Sequence, residues 1–221
     1  YDTAPLDRTL ERLTDAEQLN AGTPRFIALA IDIESGEEVL FDTAQRRITP
    51  DHVRASGALF PVFPPFELDG RLLGDGGLSA NLPLDPALDD PLPGSTLVIA
   101  IDLLPPAGPR PATFGATVER LQDLTFAMQS RRSIAAWQRV FEAQRDANGL
   151  SVTLLHLIYA DQQRETAGKA LDFSPETIRD RWDAGRRDAD QALAMLARGD
   201  IPLGRAGLTV HCLPGRAAAD A

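Results

Sequence analysis

The chain has 221 residues, 43% apolar and 24% charged, an ordinary globular composition long enough to bury a sizeable core. Thirty-two acids against 22 bases leave a net charge of −10, which argues against a nucleic-acid partner and against a polybasic membrane anchor. No apolar run approaches the about 18 residues that span a bilayer. The single cysteine, Cys212, cannot form an internal disulfide, which fits a reducing, cytoplasmic setting. The chain begins Tyr1-Asp2-Thr3-Ala4, with neither initiator methionine nor signal-peptide pattern, so it reads as a trimmed, processed or partial polypeptide.

In chain order, the first predicted element is a helix over about residues 5–19. Thr3 is its expected N-cap, Pro5 lies in its first turn, and Leu6, Leu10 and Leu13 repeat at helical spacing. Residues 25–33 then read as a strand whose nearly continuous apolar run predicts cover on both faces. Ser35-Gly36 turns the chain into a second strand at 37–41. Thr49-Pro50 starts a short helix ending near Gly57. The stretch 60–66 (FPVFPPF) holds three prolines and is neither helix interior nor central strand. Asp69-Gly70 forms a tight turn between short extended pieces at 66–68 and 71–73.

Residues 96–102 form another apolar strand, expected to need packing above and below. The run 104–112 (LPPAGPRPA) reads as a semi-rigid connector. Beyond it, 114–147 is helical, with Phe114, Val118, Leu121, Leu124 and Met128 as one stripe. That stripe resumes at Ile134, Trp137 and Phe141 after an interruption at 130–133, where Arg131-Arg132 read as a solvated face or a helix break. Residues 151–160 form a third apolar strand. A last helix starts at Ser174-Pro175, with Phe173 placed to staple against Ile178 and with Trp182, like Trp137, expected in a core. The chain from Gly199 onward is weakly patterned.

Few residues offer chemistry. His52, His156 and His211 lie far apart without metal-ligand spacing, and His156, inside an apolar strand, reads as a packed histidine rather than a ligand or base. Without a GxGxxG or Walker loop, no cofactor is expected, and no G-x-S-x-G nucleophile elbow occurs. The unusual feature is Gly74-Asp75-Gly76-Gly77. Glycines on both sides of one acid let the backbone approach a neighbour closely and adopt positive φ, so a carboxylate can be aimed at a fixed spot. An ordinary Asp-Gly turn would carry the same residues.

Residues 55–83 resemble the patatin-like phospholipase family. The resemblance runs through Ala55-Ser56-Gly57-Ala58, with the usual proline displaced to Pro61, a proline-rich stretch and the Asp69-Gly70 hairpin. It continues with Asp75-Gly76-Gly77, Asn81-Leu82-Pro83 and the strand at 97–102. The opening YDTAPL, the HLIY at 156–159 and the helix around Trp182 resemble a bacterial subgroup with an extra C-terminal domain.

The resemblance implies a three-layer α/β hydrolase fold, present here as its C-terminal portion over 1–103. The 104–112 connector and a mainly helical appendage over 113–221 follow. It further implies that Asp75 activates a serine without a histidine, with Gly74, Gly76 and Gly77 shaping its loop. Phe60, Phe63 and Phe66, held by prolines near that block, are the expected acyl contacts; the resemblance implies nothing about Ser56 or Ser79 as nucleophile, and Ser56 reads as a packing or loop-fixing residue. The substrate would be a lipid or other acyl ester, which leaves room for peripheral membrane contact. The family's oxyanion loop and elbow lie upstream of the matched region, so a preceding segment is expected to bring the nucleophile and to cover the sheet. The rival readings are a non-catalytic interaction module and a different hydrolase using a serine of this chain.

Overall fold

The strands fall into two separate sheets of different construction, one antiparallel and one parallel. The computed structural model describes residues 3–89, 91, 93–159 and 172–214, except the side chains of 145–148 and 214. Tyr1 and Asp2 of the opening motif, and residue 160 at the predicted end of the third apolar strand, lie outside them. The fold is α/β, arranged as two units, Tyr1–Pro83 and Leu84–Ala221.

In the first unit, β1 (Ile27–Asp32), β2 (Glu38–Asp42), β3 (Phe66–Leu68) and β4 (Arg71–Asp75) form an antiparallel sheet in the order β2-β1-β4-β3. The β1–β2 turn is set by Asp32, whose carboxylate accepts from the N–H groups of Glu34 and Ser35 at 3.0 and 3.2 Å, and by Gly36 at φ 74°. The β3–β4 hairpin turns on Asp69 (φ 53°) and Gly70 (φ 74°), both left-handed as a type I′ turn requires. Leu29 and Ala30, successive residues of β1, are both buried, so the strand is covered on both faces there, as its apolar run predicts.

The predicted 5–19 helix is broken. α1 (Ala4–Leu13) ends at Thr14, and α2 (Ala16–Leu19) restarts on Asp15, whose carboxylate accepts from the Glu17 and Gln18 N–H groups at 3.0 Å each. A short polar side chain that satisfies orphan N–H groups competes with helix continuation, and here it wins. Thr3 makes no side-chain cap; its hydroxyl accepts from Arg54 instead, at 2.7 Å. α3 (Pro50–Ser56) ends at Gly57 as expected and lays Ala55 on the sheet. The core joins Ala30, Phe41, Ile48, Ala55 and Leu73. Arg54 ties α1 to α3, pairing with Asp7 at 2.8 Å while its guanidinium stacks 4.4 Å over the Phe66 ring.

In the second unit, β5 (Ser95–Asp102), β6 (Ser151–Ile158) and β7 (Gly207–Pro214) run parallel in the order β5-β6-β7. The crossovers are α6 (Phe114–Asn148), capped by Thr113, and α7 (Pro175–Arg198), capped by Ser174. Gly149 and Gly199, at φ 57° and 76°, end them. β6 is the central strand and is buried at all but one position, as its largely apolar run predicts. α7 packs Ala192 against Leu155, with Ile201 beside them. β5, which precedes the proline-rich connector, thus shares its sheet with two strands that follow it.

Several expectations fail in this unit. α6 runs without interruption through 130–133, because Ser130 is buried with its hydroxyl on the Phe126 carbonyl while Arg131 and Arg132 point to solvent. The first part of its predicted stripe faces outward, with Phe114 85% and Leu121 65% exposed, whereas Ile134 and Phe141 of the second part are buried together with Phe126 and Ala127. Trp182 is 75% exposed rather than in a core, and Trp137 is half-buried with its indole N–H on Asp85 at 2.7 Å. Phe173 and Ile178 both stay mostly exposed. β5 is covered on one face only, leaving Leu97, Ile99 and Ile101 outside. β7 is a strand that the weak pattern after Gly199 does not announce. No helix among the described residues is long and apolar enough to cross a membrane.

Candidate active site

Asp75 is the last residue of β4, opposite Ala30 of β1. By strand alternation it shares a face with Leu73, which is buried in the first unit's core. Its own N–H donates to the Ala58 carbonyl just after α3, at 3.0 Å. Its Oδ1 accepts from the Gly77 N–H at 2.7 Å. The backbone is therefore pinned on one side and the side chain on the other. Oδ2 takes no hydrogen bond from any described residue, so one carboxylate oxygen remains available.

The chemistry of that oxygen follows from its surroundings. Burial raises the Asp75 pKa above the ordinary carboxylate value, and the Gly77 N–H opposes the shift by favouring the charged form. The net rise makes Asp75 a better proton acceptor than a solvated aspartate.

The glycines around Asp75 are needed for space and not for positive φ, contrary to the sequence expectation. Gly74, Gly76 and Gly77 are absent from the positive-φ residues, and Gly76 sits at φ −62°, ψ −19°. A Cβ on Gly76 would lie 2.4 Å from the Leu29 carbonyl oxygen. One on Gly77 would lie 3.0 Å from Asp75 Oδ1, crowding the hydrogen bond that fixes the carboxylate. One on Gly74 would meet Ile33 and the Phe60 ring at 3.2 and 3.3 Å. The short helix α4 (Gly77–Ala80) leaves directly from this block.

Of the three phenylalanines, Phe60 lies against Gly74 and is 38% exposed. Phe63 is half-buried, and its N–H closes a turn onto the Leu59 carbonyl at 2.9 Å. Phe66 packs against the core beneath Arg54. Ser79 donates its hydroxyl to the Gly76 carbonyl at 3.1 Å, and neither it nor Ser56 is bonded to Asp75. A concavity of the same unit, lined by Glu38, Val39, Arg46, Asp69 and Arg71 among others, does not include Asp75. No group of three or more His, Cys, Asp or Glu residues suited to a metal occurs among the described residues.

Two neighbours of the Asp75 block escape sequence reasoning. The Ala58 carbonyl is a backbone group, and Leu29 lies 47 positions before the glycine it crowds. Neither leaves a signature in residue type or local spacing.

The family model described as Patatin-like phospholipase matches residues 1–88, which hold the whole Asp75 block, and one described as Patatin phospholipase matches residues 118–198. Relatives include uncharacterized NTE family proteins of Mycobacterium bovis and of two strains of Mycobacterium tuberculosis. Each is 43% identical over 61 residues, which is 28% of this chain. The matched part spans only 16% of the length of these relatives. Two models, both described as patatin phospholipases, thus take in most of the chain on either side of the proline-rich connector, and over both stretches the chain is similar to the patatin-like phospholipase family.

Proposed function

We propose that this chain is part of a serine hydrolase acting on lipid acyl esters, with Asp75 as the base of a Ser–Asp dyad. The observation that carries the reading is the state of the Asp75 carboxylate: one oxygen locked by the Gly77 N–H, the other unengaged among the described residues, in a site where burial raises its basicity. The nucleophilic serine lies outside residues 1–221, which contain no G-x-S-x-G. In this scheme the serine hydroxyl gives its proton to Asp75, and the oxygen attacks the acyl carbonyl. The departing alkoxide takes the proton back, and water repeats the sequence to release the acid. Phe60, exposed beside Gly74, is the first candidate for contact with the acyl chain, followed by Phe63 and Phe66.

The test is ester hydrolysis by the complete protein. Asp75→Asn keeps an acceptor for the Gly77 N–H while removing the base, so turnover should fall by roughly 10² or more with the fold retained. Chelator should leave the rate unchanged, since a carboxylate and a hydroxyl supply both base and nucleophile. Near-normal hydrolysis by the variant would remove Asp75 from this role. A complete protein with no esterase activity at all would favour the interaction-module reading.

A further inference from the structure

A second group of reactive side chains lies in the parallel sheet of the second unit, apart from anything the hydrolase reading uses. The register sets Ala100 of β5 opposite His156 of β6, and His156 opposite Cys212 of β7. These positions share one face of the sheet, as does Asp102, two residues beyond Ala100. His156 Nε2 lies 3.3 Å from Asp102 Oδ2, and its Nδ1 lies 3.9 Å from Cys212 Sγ. His156 and Asp102 are 4% and 2% exposed, while Cys212, on a strand at the sheet's edge, is exposed.

The order matters. An Nε2–H donated to the carboxylate fixes the ring's orientation and turns Nδ1 toward the sulfur, where the protonated ring presents an N–H to a thiolate. Burial disfavours a charged ring here, yet the hydrogen bonds and charges of Asp102 and Cys212 hold the His156 pKa up at about 9. A thiol with an imidazolium beside it, and an orienting group behind the ring, is an arrangement that activates a nucleophile.

We propose that Cys212 is a nucleophilic thiol, activated by His156 with Asp102 as the positioning residue, and that it exchanges with small disulfides. Beside the imidazolium the thiol gives its proton to water, and the thiolate attacks one sulfur of a disulfide R–S–S–R. The reagent's S–S bond breaks, and R–S⁻ departs into solvent, where it takes up a proton or stays a thiolate according to its own pKa. One disulfide is consumed and one mixed disulfide on Cys212 is formed, so no external oxidant is required.

The test uses 5,5′-dithiobis(2-nitrobenzoate) on the complete protein at pH 6, with peptide mass spectrometry reporting the Cys212 adduct. An ordinary thiol of pKa about 8.5 is less than about 1% thiolate there. Native Cys212 should react at least about tenfold faster than Cys212 in the same protein unfolded in guanidinium chloride. His156→Gln should bring the native rate down to the unfolded one in protein that still unfolds cooperatively. Asp102→Asn should lower it partway and shift the pH profile of the reaction, which a purely structural role would not do. A native rate no faster than the unfolded rate would overturn the proposal, as would a folded His156→Gln protein reacting like wild type. If that variant does not fold, the native-to-unfolded comparison decides alone.

Discussion

Gly76 lies so close to Leu29 that a Cβ on the glycine would sit 2.4 Å from the Leu29 carbonyl oxygen and 2.6 Å from its carbonyl carbon. Both atoms are backbone of β1, at the centre of the sheet, and cannot swing away as a flexible side chain would. Gly76→Ala should therefore displace the segment that carries Asp75 and cost about 1–3 kcal/mol of stability, the range of overpacked sites. Urea unfolding of the variant measures it. Wild-type stability would mean that β1 yields more easily than a paired central strand should.

Gly70 makes the opposite demand. Nothing lies within 4 Å of where its Cβ would be, but its φ is 74°. Gly70→Ala should cost about 1–2 kcal/mol by left-handed strain alone. Gly70→Asn should cost less, because asparagine tolerates that region. Equal losses from the two substitutions would show that the turn conformation is not the cause.

These two glycines also show where sequence reasoning reaches and where it stops. The Asp69-Gly70 turn is legible because its requirement is local: two adjacent residues must adopt positive φ, and their types say so. Gly76 was expected to need the same freedom, yet its reason is Leu29, remote in the chain and visible only once β1 and β4 pair. Likewise the α6 periodicity at Phe114, Val118 and Leu121 correctly indicates a helix, but period alone does not say which face is covered. β7 is not announced by its sequence because Gly207 and Pro214 bound it and Thr209 and His211 leave no two apolar residues together before Cys212-Leu213. Asp75 itself was legible by resemblance, while the Ala58 carbonyl that positions its backbone was not.

The Arg25–Asp42 pair predicts an acid-side loss of stability. Arg25 Nε donates to Asp42 Oδ1 at 2.9 Å, and the carboxylate also accepts from the Ala44 N–H. With Arg25's hydrogen bond as the largest cause, the Asp42 pKa is lowered to about 2 from 3.8. A folded-state pKa below the unfolded one contributes stability that is present above about pH 4 and lost as pH falls towards 2. Arg25→Gln should weaken this dependence, so that wild type and variant converge near pH 2 and differ most at neutral pH. Denaturant midpoints across that window report the difference, and a gap that widens on acidification would contradict it.

A serine-directed fluorophosphonate applied to the complete protein should label a serine outside residues 1–221. Ser79 spends its hydroxyl proton on the Gly76 carbonyl, and neither Ser79 nor Ser56 is hydrogen-bonded to Asp75, so neither is paired with the proposed base. Stoichiometric labelling of Ser56 or Ser79 would instead favour a hydrolase built from a serine of this chain.

His156 predicts a second pH dependence, opposite in sign to that of Asp42. Burial alone would make the ring easier to deprotonate, but Asp102 and Cys212 outweigh it and raise its pKa from 6.5 to about 9. Because the folded state binds this proton more tightly than the unfolded chain, its contribution is complete below about pH 6.5 and disappears as pH rises towards 9. Asp102 is the carboxylate that holds the proton in place, so Asp102→Asn should destabilise the protein more at pH 6 than at pH 9.5. Cys212→Ser removes the thiol's share of the upward shift and should narrow the window while leaving its direction unchanged. Urea unfolding of the three proteins at the two pH values makes the comparison. An Asp102→Asn loss that is equal at both, or larger at pH 9.5, would mean that the buried imidazole is neutral throughout and that its pairing with the carboxylate does not stabilise the sheet.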